Sequence, residues 1–85
     1  MLRHHIQVKA PIADVLQVLD RADFAAATTD SNLNVVRLID SVGAARSDSG
    51  ETTIDLFDED DGVHVAHLVN HLRSLGLVVD QETLD

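Results

Sequence analysis

The chain has 85 residues, 45% of them hydrophobic, no Cys, and a net charge of −9 from 15 acidic against six basic side chains. That suits one independently folding domain and excludes disulfides and thiolate metal sites. The charge opposes binding to phosphate backbones and anionic lipid, and no apolar run approaches the roughly 20 residues that span a bilayer, so neither nucleic acid nor membrane is an expected partner.

Leu2, His4, Ile6 and Val8 alternate with Arg3, His5, Gln7 and Lys9, the period of a half-buried strand. Pro11 then opens a helix in which Ile12, Val15, Leu16 and Leu19 recur at helical spacing to about Ala22, with Asp14 favourably placed in its first turn. "DFAAATTDSN" (23–32) reads as a connection. "NLNVVRLIDSVG" reads two ways: as a strand of β-branched and apolar residues, or as a helix capped by Ser31 and ended by Gly43.

"ARSDSGE" (45–51) has the chemistry of a long hairpin loop, and "TTIDLFD" (52–58) alternates Thr53, Asp55 and Phe57 against Thr52, Ile54 and Leu56 as a second half-buried strand. "DEDDG" suits the acidic start of a helix, which carries Val65, Leu68, Val69, Leu72 and Leu75 on one stripe and stops at Gly76. "LVVDQETL" (77–84) is a final strand. With the middle segment as a strand, the order is β-α-β-β-α-β, and "ARSDSGE" joins two strands that would otherwise lack a hairpin. The expectation is one α+β domain over 1–85, ferredoxin-like, with an antiparallel sheet carrying two helices on one face.

From Ser31 onward, "NLNVVRLIDSV", a polar hairpin, "TTIDLFD", a helix ending "LRSLGL" and a short valine strand follow in the order found in ACT-type small-molecule-binding domains and the related NIL domain. The chain resembles these regulatory families over roughly its last 55 residues. The resemblance implies a ligand site formed by Ala10, Pro11 and Ile12 with Asn34, Val35 and Val36. Ile12 stands where those families place a glycine close to the ligand.

Three of the five histidines, His64, His67 and His71, lie on one flank of the second helix, about 120° from its apolar stripe. His67 and His71 at i, i+4 have the spacing that lets two imidazoles share a metal, whereas His64 and His71 stand about 10.5 Å apart along the axis. Asp60 would extend the row, so Asp60 and His64 are the expected interface residues beside it. Leu68 follows His67 where a zinc protease carries Glu, and "DEDDGVHVAHLV" puts Gly at position 5 and Val69 at position 12 of a would-be calcium loop, so hydrolytic zinc and EF-hand chemistry are not expected. No nucleophile elbow and no phosphate-binding loop occurs. His4, sharing a face with Ile6 and Val8, reads as a satisfied, semi-buried histidine.

Function is expected to be non-enzymatic, without cofactor: a regulatory or interaction domain that self-associates or binds a protein partner and senses a small ligand. A winged-helix protein-binding module follows from the helical reading of 31–43. A third reading is an acidic decoy, with Asp55, Asp58, Glu59, Asp60 and Asp61 filling a basic groove. Twelve of the acids are Asp and five of the six bases Arg, a bias that suits a high-salt cytoplasm or a GC-rich genome. "MLRHHIQVK" lacks a signal-peptide h-region, which points to the cytoplasm.

Overall fold

A computed structural model describes residues 2–22, 25–30, 33–38, 41–58 and 63–84. In chain order the elements are β1 (Leu2–Val8), α1 (Ile12–Arg21), β2 (Ala25–Asp30), β3 (Leu33–Leu38), β4 (Ser41–Asp48), β5 (Glu51–Asp58), α2 (Val63–Ser74) and β6 (Val79–Leu84). The six strands form one sheet in the order β2-β3-β4-β5-β1-β6, and every neighbouring pair is antiparallel.

Both helices cover the same face. The alternation of β1 sends Ile6 and Val8 to that side, β5 sends Ile54 and Leu56, and β3 sends Val36, all fully buried. Val15 and Leu19 of α1 and Val65, Leu68 and Leu72 of α2 close over them with no exposed surface. Among the described residues the core is built of aliphatic side chains, and the buried polar ones are Ser41, Thr52, Thr53 and His4, whose Nδ1 lies 3.1 Å from Thr83 Oγ1. At the top of the sheet, buried Thr52 donates from Oγ1 to the carbonyl of Ala10 at 2.8 Å, tying the exit of β1 to β5 just before α1 begins.

α1 starts from Pro11, whose extended backbone (φ −60, ψ 147) places its carbonyl to accept the first helical N–H groups, those of Asp14 and Val15. α2 ends on Gly76 at φ +84: Leu77 N–H bonds Leu72 carbonyl and Gly76 N–H bonds Arg73 carbonyl, the paired closure of a Schellman motif. The Arg73 guanidinium then donates to Val79 carbonyl at 2.9 Å, fastening the helix end to β6. No helix among the described residues is long and apolar enough to cross a membrane.

The α+β class, the antiparallel sheet and the two helices are as expected, but the β-α-β-β-α-β order is not. Two further strands lengthen it to β-α-β-β-β-β-α-β. The supposed connection 23–32 contains β2, where "AAATTD" gains its pairing from the apolar residues of β3 rather than from its own weak strand propensity. The ambiguous middle segment is divided. Its first half is β3, while Val42 and Gly43 belong to β4, so the helical reading and the winged helix built on it are both overturned. The long loop at 45–51 shrinks to a turn, because Ser49 (φ 52) and Gly50 (φ 83) are both left-handed and join Asp48 to Glu51 as a two-residue type I′ hairpin. Leu75, placed on the buried stripe of the second helix, lies past the helix end and is 53% exposed.

Gly43 faces Leu56 across the β4–β5 ladder so closely that an added Cβ would stand 1.7 Å from the Asp55 carbonyl oxygen. Gly43→Ala is therefore expected to part these strands and cost at least about 2 kcal/mol. Gly76→Ala meets open space and only the left-handed backbone, so it should cost about 1 kcal/mol. Urea denaturation of the two variants beside the wild type checks the order; equal losses would contradict the close β4–β5 approach.

Candidate functional site

No described element covers the face away from the helices, although Thr53 on it is only 2% exposed, and register assembles this face into rows running across the strands. The first row reads Arg37, Val42, Phe57, Arg3, Leu84 from β3 to β6. The second reads Val35, Ala44, Asp55, His5, Glu82. The third reads Arg46, Thr53, Gln7, Asp80 across β4, β5, β1 and β6.

An antiparallel sheet with one solvated face ordinarily presents polar side chains there. The first row departs from this, because Val42 is 48%, Phe57 45% and Leu84 36% exposed. Arginines stand among them, and three of the six basic residues of a chain with net charge −9 (Arg3, Arg37 and Arg46) lie on this face. The acids lie at the β6 edge, where Asp80 and Glu82 are exposed.

At the centre of the second row, His5 Nδ1 donates to Asp55 Oδ1 at 2.8 Å, and Arg3 donates to the same oxygen at 3.2 Å. Arg46 reaches within 3.9 Å of the other carboxylate oxygen. Burial raises the Asp55 carboxyl, but the hydrogen bonds from His5 and Arg3 and their charges outweigh it, leaving the group below its ordinary 3.8. A His–Asp pair is also how catalytic triads orient a base; here the same carboxylate takes the charge of two guanidinium groups as well. Beside it, His5, Gln7, Asp80, Gln81 and Glu82 line a shallow hollow of about 100 Å³. A small-molecule site commonly needs on the order of 300 Å³.

The residues implicated as a ligand site by resemblance do not meet. Ala10, Pro11 and Ile12 follow β1, whereas Asn34, Val35 and Val36 sit on β3, with β4 and β5 between them, about 14 Å away at the usual strand spacing. Val36 is buried under the helices while Val35 belongs to the opposite face, so even adjacent members diverge. Of the two extra strands β4 is the cause, since it stands between β3 and β5 and carries β3 one strand further from β1, whereas β2 lies outside β3.

On α2, His67 is exposed and His64 and His71 are half-buried beside the core stripe, as the helical wheel implies. His64 and His67 pack ring to ring, edge-on, with centroids 6.1 Å apart. No group of three or more His, Asp, Glu or Cys side chains among the described residues is arranged to hold a metal ion. Asp60, expected to extend this row, lies outside the described residues, as do Glu59 and Asp61. Asp55, a described member of the acidic cluster proposed for a decoy, stands on the arginine-bearing sheet face.

The uncovered face escapes sequence reasoning because its members are far apart in the chain. Only the alternation in "LRHHIQVK" and "TTIDLFD" hints at it, by assigning Arg3, His5, Asp55 and Phe57 to outward positions.

Because Asp55 is depressed in the folded state, it stabilises the fold above its unfolded pKa, and the gain is lost as pH falls through the folded value. Asp55→Asn should therefore be about 1 kcal/mol less stable than wild type at neutral pH, with the difference closing as pH falls through and below the ordinary carboxylate range. Urea midpoints at several pH values test this; a gap independent of pH would show that the carboxylate charge is not what the site holds.

No protein-family model matches the chain, and no match was found among curated proteins or among solved structures.

Proposed function

We propose that the chain is a non-enzymatic interaction domain that self-associates through the uncovered face of its sheet. The observation that carries this is the row of Val42, Phe57 and Leu84, exposed side by side with arginines on the face that neither helix covers. Burying large apolar side chains gives association its driving force, at about 25 cal/mol per Å² removed from water. Charge selects the partner. A surface with Arg37 and Arg46 on β3 and β4, Asp80 and Glu82 on the β6 edge, and Arg3 beside Asp55 between them has both signs available for a second copy of itself. The patterning shared with ACT- and NIL-type regulatory domains is compatible with such a role.

The β6 edge is less suited to the same task. β6 carries Asp80 and Glu82, and charges on an edge strand discourage further strand pairing. Stacking of faces, not extension of the sheet, is the mode the surface favours.

Sedimentation velocity over a wide concentration range tests the proposal. The wild type should shift reversibly from monomer to dimer, and Phe57→Asp should stay monomeric at concentrations about tenfold higher while keeping its circular dichroism, since position 57 contributes nothing to the core. A wild type that sediments as a monomer at every concentration would end the proposal.

A further inference from the structure

We infer that the two copies stack face to face about a two-fold axis parallel to the strands and midway between β1 and β5. The inference rests on the self-association just proposed and names which side chains meet. An axis along the strands keeps each residue's height and reverses the strand order. Centred between β1 and β5, it lays β5 over the partner's β1 and β4 over the partner's β6.

The rows then fall on themselves in a complementary way. Val42 meets the partner's Leu84, so two exposed apolar side chains cover each other. Phe57 meets the partner's Arg3, a guanidinium over an aromatic ring. Arg46 meets the partner's Asp80, and Asp55 meets the partner's His5. Each contact occurs twice by symmetry, and none of them joins like charges.

Other ways of stacking this face do worse. An axis across the strands keeps the strand order and reverses height about the second row, which sets Glu82 on the partner's Glu82 and Asp55 on the partner's Asp55. An axis along the strands but between β4 and β5 sets Arg37 on the partner's Arg3. The charges thus choose both the direction and the position of the axis.

Sheet twist tolerates the match. Aligned sheets cross at about 30°, which at one and a half strand spacings from the axis displaces facing residues by about 4 Å, within the reach of an arginine side chain. The four overlapping strands project an area of about 400 Å² on each copy, at the small end for specific interfaces, so the dimer is a weak and reversible one.

A charge exchange tests the arrangement. Arg46→Glu and Asp80→Arg each create two like-charge contacts in the homodimer, and each should weaken self-association by about tenfold or more. Mixed in equal amounts, the two variants form a heterodimer in which the introduced acid faces the introduced base. The other contact of that pair is the native one, Asp80 on Arg46, so association should return to within about threefold of wild type. A cysteine test is independent of charge, because the chain has no cysteine of its own. Val42→Cys and Leu84→Cys, mixed and treated with a short bifunctional thiol reagent, should give a cross-linked heterodimer, since facing residues of sheets stacked about 10 Å apart are beyond direct disulfide reach but within that of such a reagent. Each alone should not cross-link, because symmetry mates at these positions stand about 17 Å apart, three strand spacings across and one sheet spacing through the interface.

Recovery in the mixed charge variants together with cross-linking only in the mixed cysteine variants supports the axis. If the wild type dimerises and Phe57→Asp does not, yet mixing restores nothing, the axis is wrong and the self-association stands. A monomeric wild type overturns both.

Discussion

The pairing of β1 with β5 is the constraint on which the rest depends. β1 stands inside the sheet with β5 on one side and β6 on the other, so it is the strand that holds the last element of the chain to the first. Its partner begins more than forty residues later, and closing so long a loop is an entropic cost that local structure cannot meet. The compensation is concentrated along this seam. Ile6 faces Ile54, Val8 faces Thr52, and the Thr52 hydroxyl caps the seam by binding the carbonyl of Ala10. On the other side of the same two strands, His5 and Arg3 bond Asp55. One register therefore fixes both the centre of the core and the centre of the open face.

The elements readable in the sequence are those whose pattern is enforced by one buried side. β1, β5 and both helices show clear periodicity because each of them lays an apolar stripe against the core, and α2 announces its end through Gly76. β2 and β4 lack that signal. In "AAATTD" no residue is large enough to mark a face, and in "SVGAARSD" the inward positions are filled by Ser41, Gly43 and Ala45, small because β4 and β5 approach so closely at Gly43. Those strands form because their neighbours offer unpaired backbone, which is a tertiary cause invisible to local sequence.

The open face is legible in fragments only. Alternation places Arg3, His5, Asp55 and Phe57 outward, but nothing in the sequence says that Val42 lies beside Phe57 or that Leu84 lies beyond Arg3. Those facts are register, and register is fixed by turn geometry and by the buried side of each strand. The left-handed pair Ser49–Gly50 sets Val42 opposite Phe57. The ligand site implied by family resemblance fails for the same reason in reverse, since its members are brought near one another only if β3 stands close to β1, and the inserted β4 prevents that.

The acidic composition takes a different meaning once the bases are located. The three rows of the open sheet face hold three bases and three acids, so that face is neutral in sum and the net charge of −9 falls on the rest of the molecule. In the proposed dimer two such chains repel at long range and attract only where the faces touch. The Debye length is about 8 Å at physiological ionic strength and about 3 Å at 1 M, so salt removes the long-range repulsion before it reaches the desolvated contacts between stacked sheets. The apolar part of the interface, with Val42, Phe57 and Leu84, does not depend on charge and is strengthened by excluded salts. In the proposed dimer, then, the overall charge keeps separate molecules apart in dilute solution, while the pattern of arginines and carboxylates on one face decides how they fit when they meet. Solubility and recognition are assigned to opposite sides of the same sheet.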